Sequence, residues 1–239
     1  MAMKTRLGGG DATFSRMMEQ GFGIVTVMNV HVYDALDVES YKKVTPYDIA
    51  NLVAGNTIEA QVTLGTKLCT IDTLKVANAP QEGPNKTVTG GQFSNPLIKF
   101  GKSARLEMQD ALGRIEAIEA LGGGIAEWEE TTGTTPTKTY KGLHFGEDFV
   151  GPKLLVGESF FIDQKSGQQI DVNIIFYQFL PDSIFNLTQD AEGDATVFDM
   201  NGDLLTTRVL VANSKGESKE HGLFYSIVEK PAKPAQVTE

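Results

Sequence analysis

Apolar and polar positions change period several times along the chain, and each change predicts an element. Residues 23–30, Gly-Ile-Val-Thr-Val-Met-Asn-Val, are rich in β-branched side chains and predict a strand. In 103–109, Ala104, Leu106 and Met108 alternate with Arg105, Glu107 and Gln109, the period of a half-buried strand. Two longer apolar runs, 154–163 and 169–179, flank Gln164-Lys165-Ser166-Gly167-Gln168 and predict a hairpin around a glycine-containing turn. A second hairpin is predicted where 195–200 leads into Asn201-Gly202 and 203–211 leads out. Asn-Gly suits the positive φ that a type I′ turn needs at its central positions. A last strand is predicted over 222–228, so the C-terminal part reads as a β-meander.

Two helices interrupt the strands. Thr45 is placed to cap a helix with Pro46 at its first position, Asp48 three residues on, and Gly55 at its end. A second helix is predicted from Asp110 to about Leu121, with Leu112, Ile115, Ile118 and Leu121 on one face and Gly122 as the residue that stops it. The threonine-rich stretch 131–139 reads as a flexible loop or an extended arm. The prolines of 230–235 suit neither a helix nor a central strand. The pattern as a whole predicts one β-rich domain over 1–239, with an N-terminal arm over 1–22 and a proline-containing tail over 229–239.

Composition narrows the chemistry. The chain has 239 residues and a net charge of −10, so counterion release gives it no general affinity for nucleic acid. Anionic membranes should repel it, and it contains no apolar run long enough for a spanning helix. The first residues lack the apolar core of a secretory signal. Cys69 is the single cysteine, which excludes an internal disulfide and a cysteine zinc site, and its alternating surroundings predict a buried thiol. His31, His144 and His221 form no metal-binding pair on a helix. No Gly-x-Ser-x-Gly elbow is present.

The glycine-rich stretches are equally unpromising. Gly8-Gly9-Gly10-Asp11 lacks the Lys-Ser/Thr of a phosphate loop. Gly21-Phe22-Gly23 lacks a third glycine and precedes a strand where a dinucleotide motif would open a helix. Asp199-Met200-Asn201-Gly202-Asp203 has its glycine at the wrong place for a calcium loop, and the twelfth position is Leu210. No enzyme, cofactor or metal site is predicted.

The charge is uneven. Residues 1–120 carry 12 Lys/Arg and 13 Asp/Glu, whereas 121–239 carry 9 and 18. Between Lys165 and Arg208 there is no basic residue. That window holds Asp171, Asp182, Asp190, Glu192, Asp194, Asp199 and Asp203.

Two segments carry a family resemblance. One is Gly101-Lys102-Ser103-Ala104-Arg105-Leu106-Glu107-Met108-Gln109-Asp110-Ala111-Leu112-Gly113-Arg114, a strand running into a helix. The other is Leu187-Thr188-Gln189-Asp190-Ala191-Glu192-Gly193-Asp194-Ala195-Thr196-Val197-Phe198-Asp199-Met200-Asn201-Gly202-Asp203, an acidic turn running into a hairpin. Together they resemble the tail tube (major tail) proteins of long-tailed bacteriophages and related virion structural proteins, over roughly the second half of the chain. The resemblance implies a mainly β fold: a β-sandwich or barrel with one or two short flanking helices and long loops or arms. It implies self-association into stacked, hexameric rings, contacts with other tail or virion proteins, and DNA passing through the lumen without specific binding. It places the protein in the virion tail, made in the bacterial host cytoplasm. Asp171, Asp190, Glu192, Asp194, Asp199 and Asp203 are then the candidate acids of the lumen or of an inter-subunit groove, where they would repel the phosphate backbone.

Two other readings share the composition. One is a different virion component: a capsid decoration, tail-terminator or baseplate protein. The other is a carbohydrate-binding β-sandwich in which Trp128, Tyr140 or Phe145 stacks on sugar.

Overall fold

The two long apolar runs pair as the sequence predicts, and the fold is built outward from them. The computed structural model describes Phe14 and residues 22–24, 27–74, 81–82, 85–87, 97–99, 102–110, 115–131, 137–146, 150–163, 166–182, 186–187, 198–212 and 217–232. In chain order the elements begin with strands β1 (Phe22–Ile24) and β2 (Val27–Asp34), helices α1 (Val38–Tyr41) and α2 (Pro46–Ala54), and β3 (Cys69–Leu74). The short strands β4 (Gln81–Glu82), β5 (Asn85–Thr87) and β6 (Leu97–Lys99) precede β7 (Lys102–Asp110), α3 (Ile115–Gly122), β8 (Gly124–Thr131) and β9 (Thr137–Phe145). Then come β10 (Lys153–Asp163), β11 (Gln169–Pro181), β12 (Asn186–Leu187), β13 (Phe198–Leu204), β14 (Thr207–Ala212), β15 (Ser218–Leu223) and β16 (Tyr225–Glu229).

A ten-stranded sheet runs β3-β2-β10-β11-β13-β7-β4, with β1 also beside β10, β16 beside β11 and β12 beside β13. It curls into a half-barrel that brings β3 back against β7. The pairs β5–β6, β8–β9 and β14–β15 form separate two-stranded sheets. The fold is thus mainly β with few short helices.

The β10–β11 turn forms as its glycine predicts. Gly167 has φ of 66° and donates to the Asp163 carbonyl at 2.7 Å, while Asp163 N–H donates to the Gln168 carbonyl at 2.9 Å. Both strands read as continuous apolar runs because both of their faces are covered. On one face Leu155, Ile174, Phe176 and Phe179 pack with Val30, Val32, Ile71, Leu106 and Leu204, under Ala117 and Leu121 of α3. On the other, Leu154, Val156, Ile175 and Tyr177 pack with Tyr41 of α1, Ile49 and Ala50 of α2, and Val209 of β14. Each such fully buried side chain contributes about 1.5–3 kcal/mol. The Tyr41 hydroxyl donates to the Tyr177 carbonyl, which fastens α1 to the sheet. Cys69 is buried, as its alternating neighbours predict.

Helix α2 forms as its local signals dictate. Asp48 N–H donates to Thr45 Oγ1 at 3.2 Å, Thr45 N–H donates to Asp48 Oδ2 at 2.8 Å, and Gly55 closes the helix with φ of 85°. A capping box of this kind contributes about 1 kcal/mol.

Elsewhere the structure corrects the sequence. Asn201-Gly202 is not a turn. Both residues lie inside β13, neither has positive φ, and they face Glu107 and Leu106 of β7. The chain leaves the sheet after Leu204, and the Leu205 N–H donates to the Gln178 carbonyl at 2.8 Å. Two flanking strands therefore override a strong local turn preference. The predicted meander is broken as a result: β13 joins β11 and β7, and β14 pairs with β15. Residues 195–197 of that predicted hairpin lie outside the described residues.

Helix α3 begins later than predicted. Asp110 is the last residue of β7, paired with Phe198, and Leu112 lies outside the described residues. Gly122 is helical, and Gly123, with φ of 69°, takes the left-handed position after it. Of the strand predicted over 23–30, residues 23–24 lie in β1 and 27–30 in β2, both beside β10, and residues 25–26 lie outside the described residues. The strand predicted over 222–228 is divided at Phe224, so that β15 and β16 join different sheets.

Candidate functional site

Three features carry the polar and exposed side chains that a function could use: the acidic window, the β8–β9 hairpin and a cavity beside α2.

The acidic window is spread out. Asp171 lies near the start of β11, where it accepts from Gln169 Nε2 at 3.0 Å. Asp203 lies on β13 opposite Leu180 of the same β11, nine residues further on, a separation of about 30 Å along the strand. Asp199 is on β13, facing Gln109 and Asn186 across the ladders. Asp190, Glu192 and Asp194 lie outside the described residues. The structure therefore does not bring Asp171 together with Asp203.

What it does bring together is Arg105, Asp182 and Asp203. Arg105 of β7 is the register partner of Asp203. Its guanidinium donates to Asp203 Oδ1 at 3.3 Å and to Asp182. One cation thus serves two carboxylates of the window. The alternation over 103–109 puts Arg105 on the polar side of its strand, but only the β7–β13 register identifies its partner.

The β8–β9 hairpin was not predicted: its far end falls in the stretch 131–139, read as a flexible loop or an extended arm, of which Thr131 lies in β8 and 137–139 in β9. Its ladder runs from Gly124↔Phe145 to Thr131↔Thr137, with a bulge between Glu127 and Trp128. Among the described residues it pairs with no strand of the main sheet. Its root is held by close packing. A Cβ on Gly124 would lie 2.9 Å from Leu143, 3.3 Å from Phe145 and 3.4 Å from Ile118 of α3, so a larger residue there would have to push these side-chain ends aside. The Tyr140 hydroxyl also donates to Glu116 of α3 at 3.1 Å.

Outward, Ile125, Trp128 and Phe145 are 54%, 45% and 55% exposed. Large exposed apolar side chains of this kind mark interaction surfaces. Trp128 and Phe145 lie on one face of the hairpin and Ile125 on the other. The two strands differ in charge. β8 carries Glu127, Glu129 and Glu130, and β9 carries Lys138, Lys141 and His144. Lys141 meets Glu129 at 3.1 Å and His144 meets Glu127 at 3.3 Å.

The cavity lies beyond the C-terminal end of α2, with a volume of about 320 Å³. His31 and Tyr33 of β2, Glu158 of β10 and Asn173 of β11 line it from the sheet. Val53 and Ala54 of α2 form an apolar wall, and Lys67 and Lys230 complete the lining. Glu158 and Asn173 are register partners. Lys230 donates to Glu158 Oε1 at 2.7 Å, His31 Nε2 lies 3.5 Å from the same oxygen, and Asn29 Nδ2 reaches Oε2 at 3.5 Å. His31 foremost, then Lys230 and Asn29, hold the Glu158 carboxyl down at about 2, against the opposing effect of burial. Asn173 is only 2% exposed, and its Oδ1 has no hydrogen-bond partner among the described residues.

The depressed Glu158 value has a consequence for acid stability. The stabilisation is fully present above the ordinary carboxyl value and is lost as pH falls toward 2. Solvent screening of this partly exposed carboxylate holds the contribution to about 1–2 kcal/mol. Urea unfolding of Glu158→Gln should therefore show a deficit of that size at pH 7 that closes as the pH falls from about 4.5 to about 2. A deficit that stays constant over the range would show that the charge contributes nothing.

Compared with models of known protein families and with curated proteins, the chain matches none. Among the described residues no helix is long and apolar enough to cross a membrane.

Proposed function

We propose that this protein is a structural subunit of a phage tail tube, self-associating into stacked rings that conduct DNA. The observation that carries the reading is the β8–β9 hairpin. It stands outside the main sheet, exposes Ile125, Trp128 and Phe145, and has an acidic strand on one side and a basic strand on the other. Edges of opposite charge are complementary head to tail, with β8 of one copy beside β9 of the next. Such a heterologous contact generates a ring when the rotation closes. Closure removes the open strand edges that a lone hairpin presents. The mainly β half-barrel with short flanking helices is compatible with the same reading.

The structure changes one part of the argument about DNA. Asp182 and Asp203 share Arg105, so their charge is locally offset. Repulsion of the phosphate backbone then rests on the other acids of the C-terminal half.

Negative-stain electron microscopy of the purified chain tests the proposal. Rings or tubes with an open centre are the expected result, and a strictly monomeric species at high concentration counts against it. A second reading has one observation in its favour: Trp128 lies directly opposite Tyr140 on the hairpin, a pair suited to stacking on sugar. Saturable binding to a glycan array by a chain that stays monomeric would favour that reading instead.

A further inference from the structure

We propose that the cavity beside α2 is a binding site for a small zwitterion of the free amino-acid type. The site is independent of the assembly reading and stands or falls separately from it.

Size sets the first limit. A volume of about 320 Å³ lies at the lower end of small-molecule sites, which suits a molecule of single-residue size. Charge sets the second. The lining offers both signs, with Lys67 and Lys230 against Glu158. Lys230 is engaged with Glu158, whereas Lys67 has no ion pair or hydrogen bond among the described residues. A ligand carboxylate complements Lys67.

The opposite end of the ligand meets Glu158, whose Oε2 has, among the described residues, only the long contact from Asn29. An ammonium group complements it. The C-terminal end of α2 borders the same space, and its macrodipole also favours a cation there. Glu158 correspondingly disfavours a doubly charged phosphate.

Asn173 supplies the third observation. A carboxamide this buried with an unpartnered Oδ1 costs about 1–3 kcal/mol unless something satisfies it. Rotation about its Cβ–Cγ bond presents either the oxygen or the NH₂ to a molecule in the cavity. An amino acid provides a donor and an acceptor at adjacent positions and meets either orientation. Val53 and Ala54 then face its aliphatic part.

The test is calorimetric titration of the full chain with L-alanine, L-leucine, L-lysine and L-glutamate. The controls are leucinamide, which lacks the carboxylate, 4-methylpentanoate, which lacks the ammonium, and inorganic phosphate. At least one amino acid should bind saturably. Leucinamide and 4-methylpentanoate should each bind at least about tenfold more weakly than leucine, the loss of one charge-assisted contact. Lys67→Met, at an exposed position, should weaken the best amino acid by about tenfold without changing the melting temperature. The proposal is overturned if no amino acid saturates below about 20 mM, a Kd weaker than any specific site of this size should show. It is overturned equally if phosphate or 4-methylpentanoate binds as tightly as the amino acids, or if Lys67→Met binds as well as the parent.

Discussion

Gly202→Ala is expected to destabilise the protein by about 3 kcal/mol, the upper end of what overpacking costs. For a chain of this length that lowers Tm by about 6–12 °C. The reason is the proximity of β11. A Cβ on Gly202 would lie 2.2 Å from the Leu180 carbonyl oxygen and 2.6 Å from the Phe179 ring. The carbonyl is a main-chain atom rather than the flexible end of a side chain, so it cannot move aside without shifting β11. Gly202 is also held from the other side by its pairing with Leu106 of β7. Gly202→Asn should be worse than Gly202→Ala, because the larger side chain meets the same wall. A hairpin turn at this position would produce the opposite order, since Asn tolerates positive φ better than Ala. Urea unfolding of the two variants decides the matter, and a change under about 0.5 kcal/mol for Gly202→Ala would contradict the close approach.

Replacing Ile125 and Trp128 together with serine is expected to abolish ring formation while leaving the monomer folded. About half of each side chain is already in water, so their loss costs the monomer about 1.5–3 kcal/mol in all, within the stability of a domain of this size. Burial of the exposed half of each in an interface would contribute about 0.8–1.5 kcal/mol. Losing both weakens each subunit contact by at least about tenfold. Sedimentation velocity alongside electron microscopy reads the effect. Normal rings from the double variant would remove the hairpin from the assembly and with it the main support for the proposed function. Unchanged rings combined with lost glycan binding would point to the carbohydrate reading.

The elements that the sequence predicted well share a feature: their determinants are local. Thr45, Pro46, Asp48 and Gly55 define α2 within eleven residues, and their hydrogen bonds are made inside that stretch. The β10–β11 hairpin is equally local, because Gly167 supplies the turn between two adjacent apolar runs. Failures occurred where remote strands compete. Asn201-Gly202 has an intrinsic turn preference of the order of a kilocalorie per mole, and it is opposed by ladders to β7 and β11 on its two sides. The division of 222–228 has the same origin, since β15 meets β14 and β16 meets β11.

The candidate sites follow the same rule. The acidity of 171–203 was readable as a count, but its meaning was not. Asp203 and Asp182 acquire Arg105 as a partner only because β13 lies beside β7. The aromatic residues Trp128, Tyr140 and Phe145 were visible as candidates, yet the hairpin that displays them was not. No spacing hinted at the cavity, whose lining runs from His31 to Lys230 and converges only in three dimensions.

The sequence by itself determined a mainly β chain, one capped helix, one central hairpin, a buried thiol and an acidic C-terminal half. These depend on hydrophobic period, turn residues and composition, which act between near neighbours. Tertiary structure alone decided which strands pair, why Gly202 must remain glycine, which acids share a cation, and where exposed apolar and polar groups gather. Each of those depends on register between distant segments, and a shift of one residue would exchange the two faces of every strand involved.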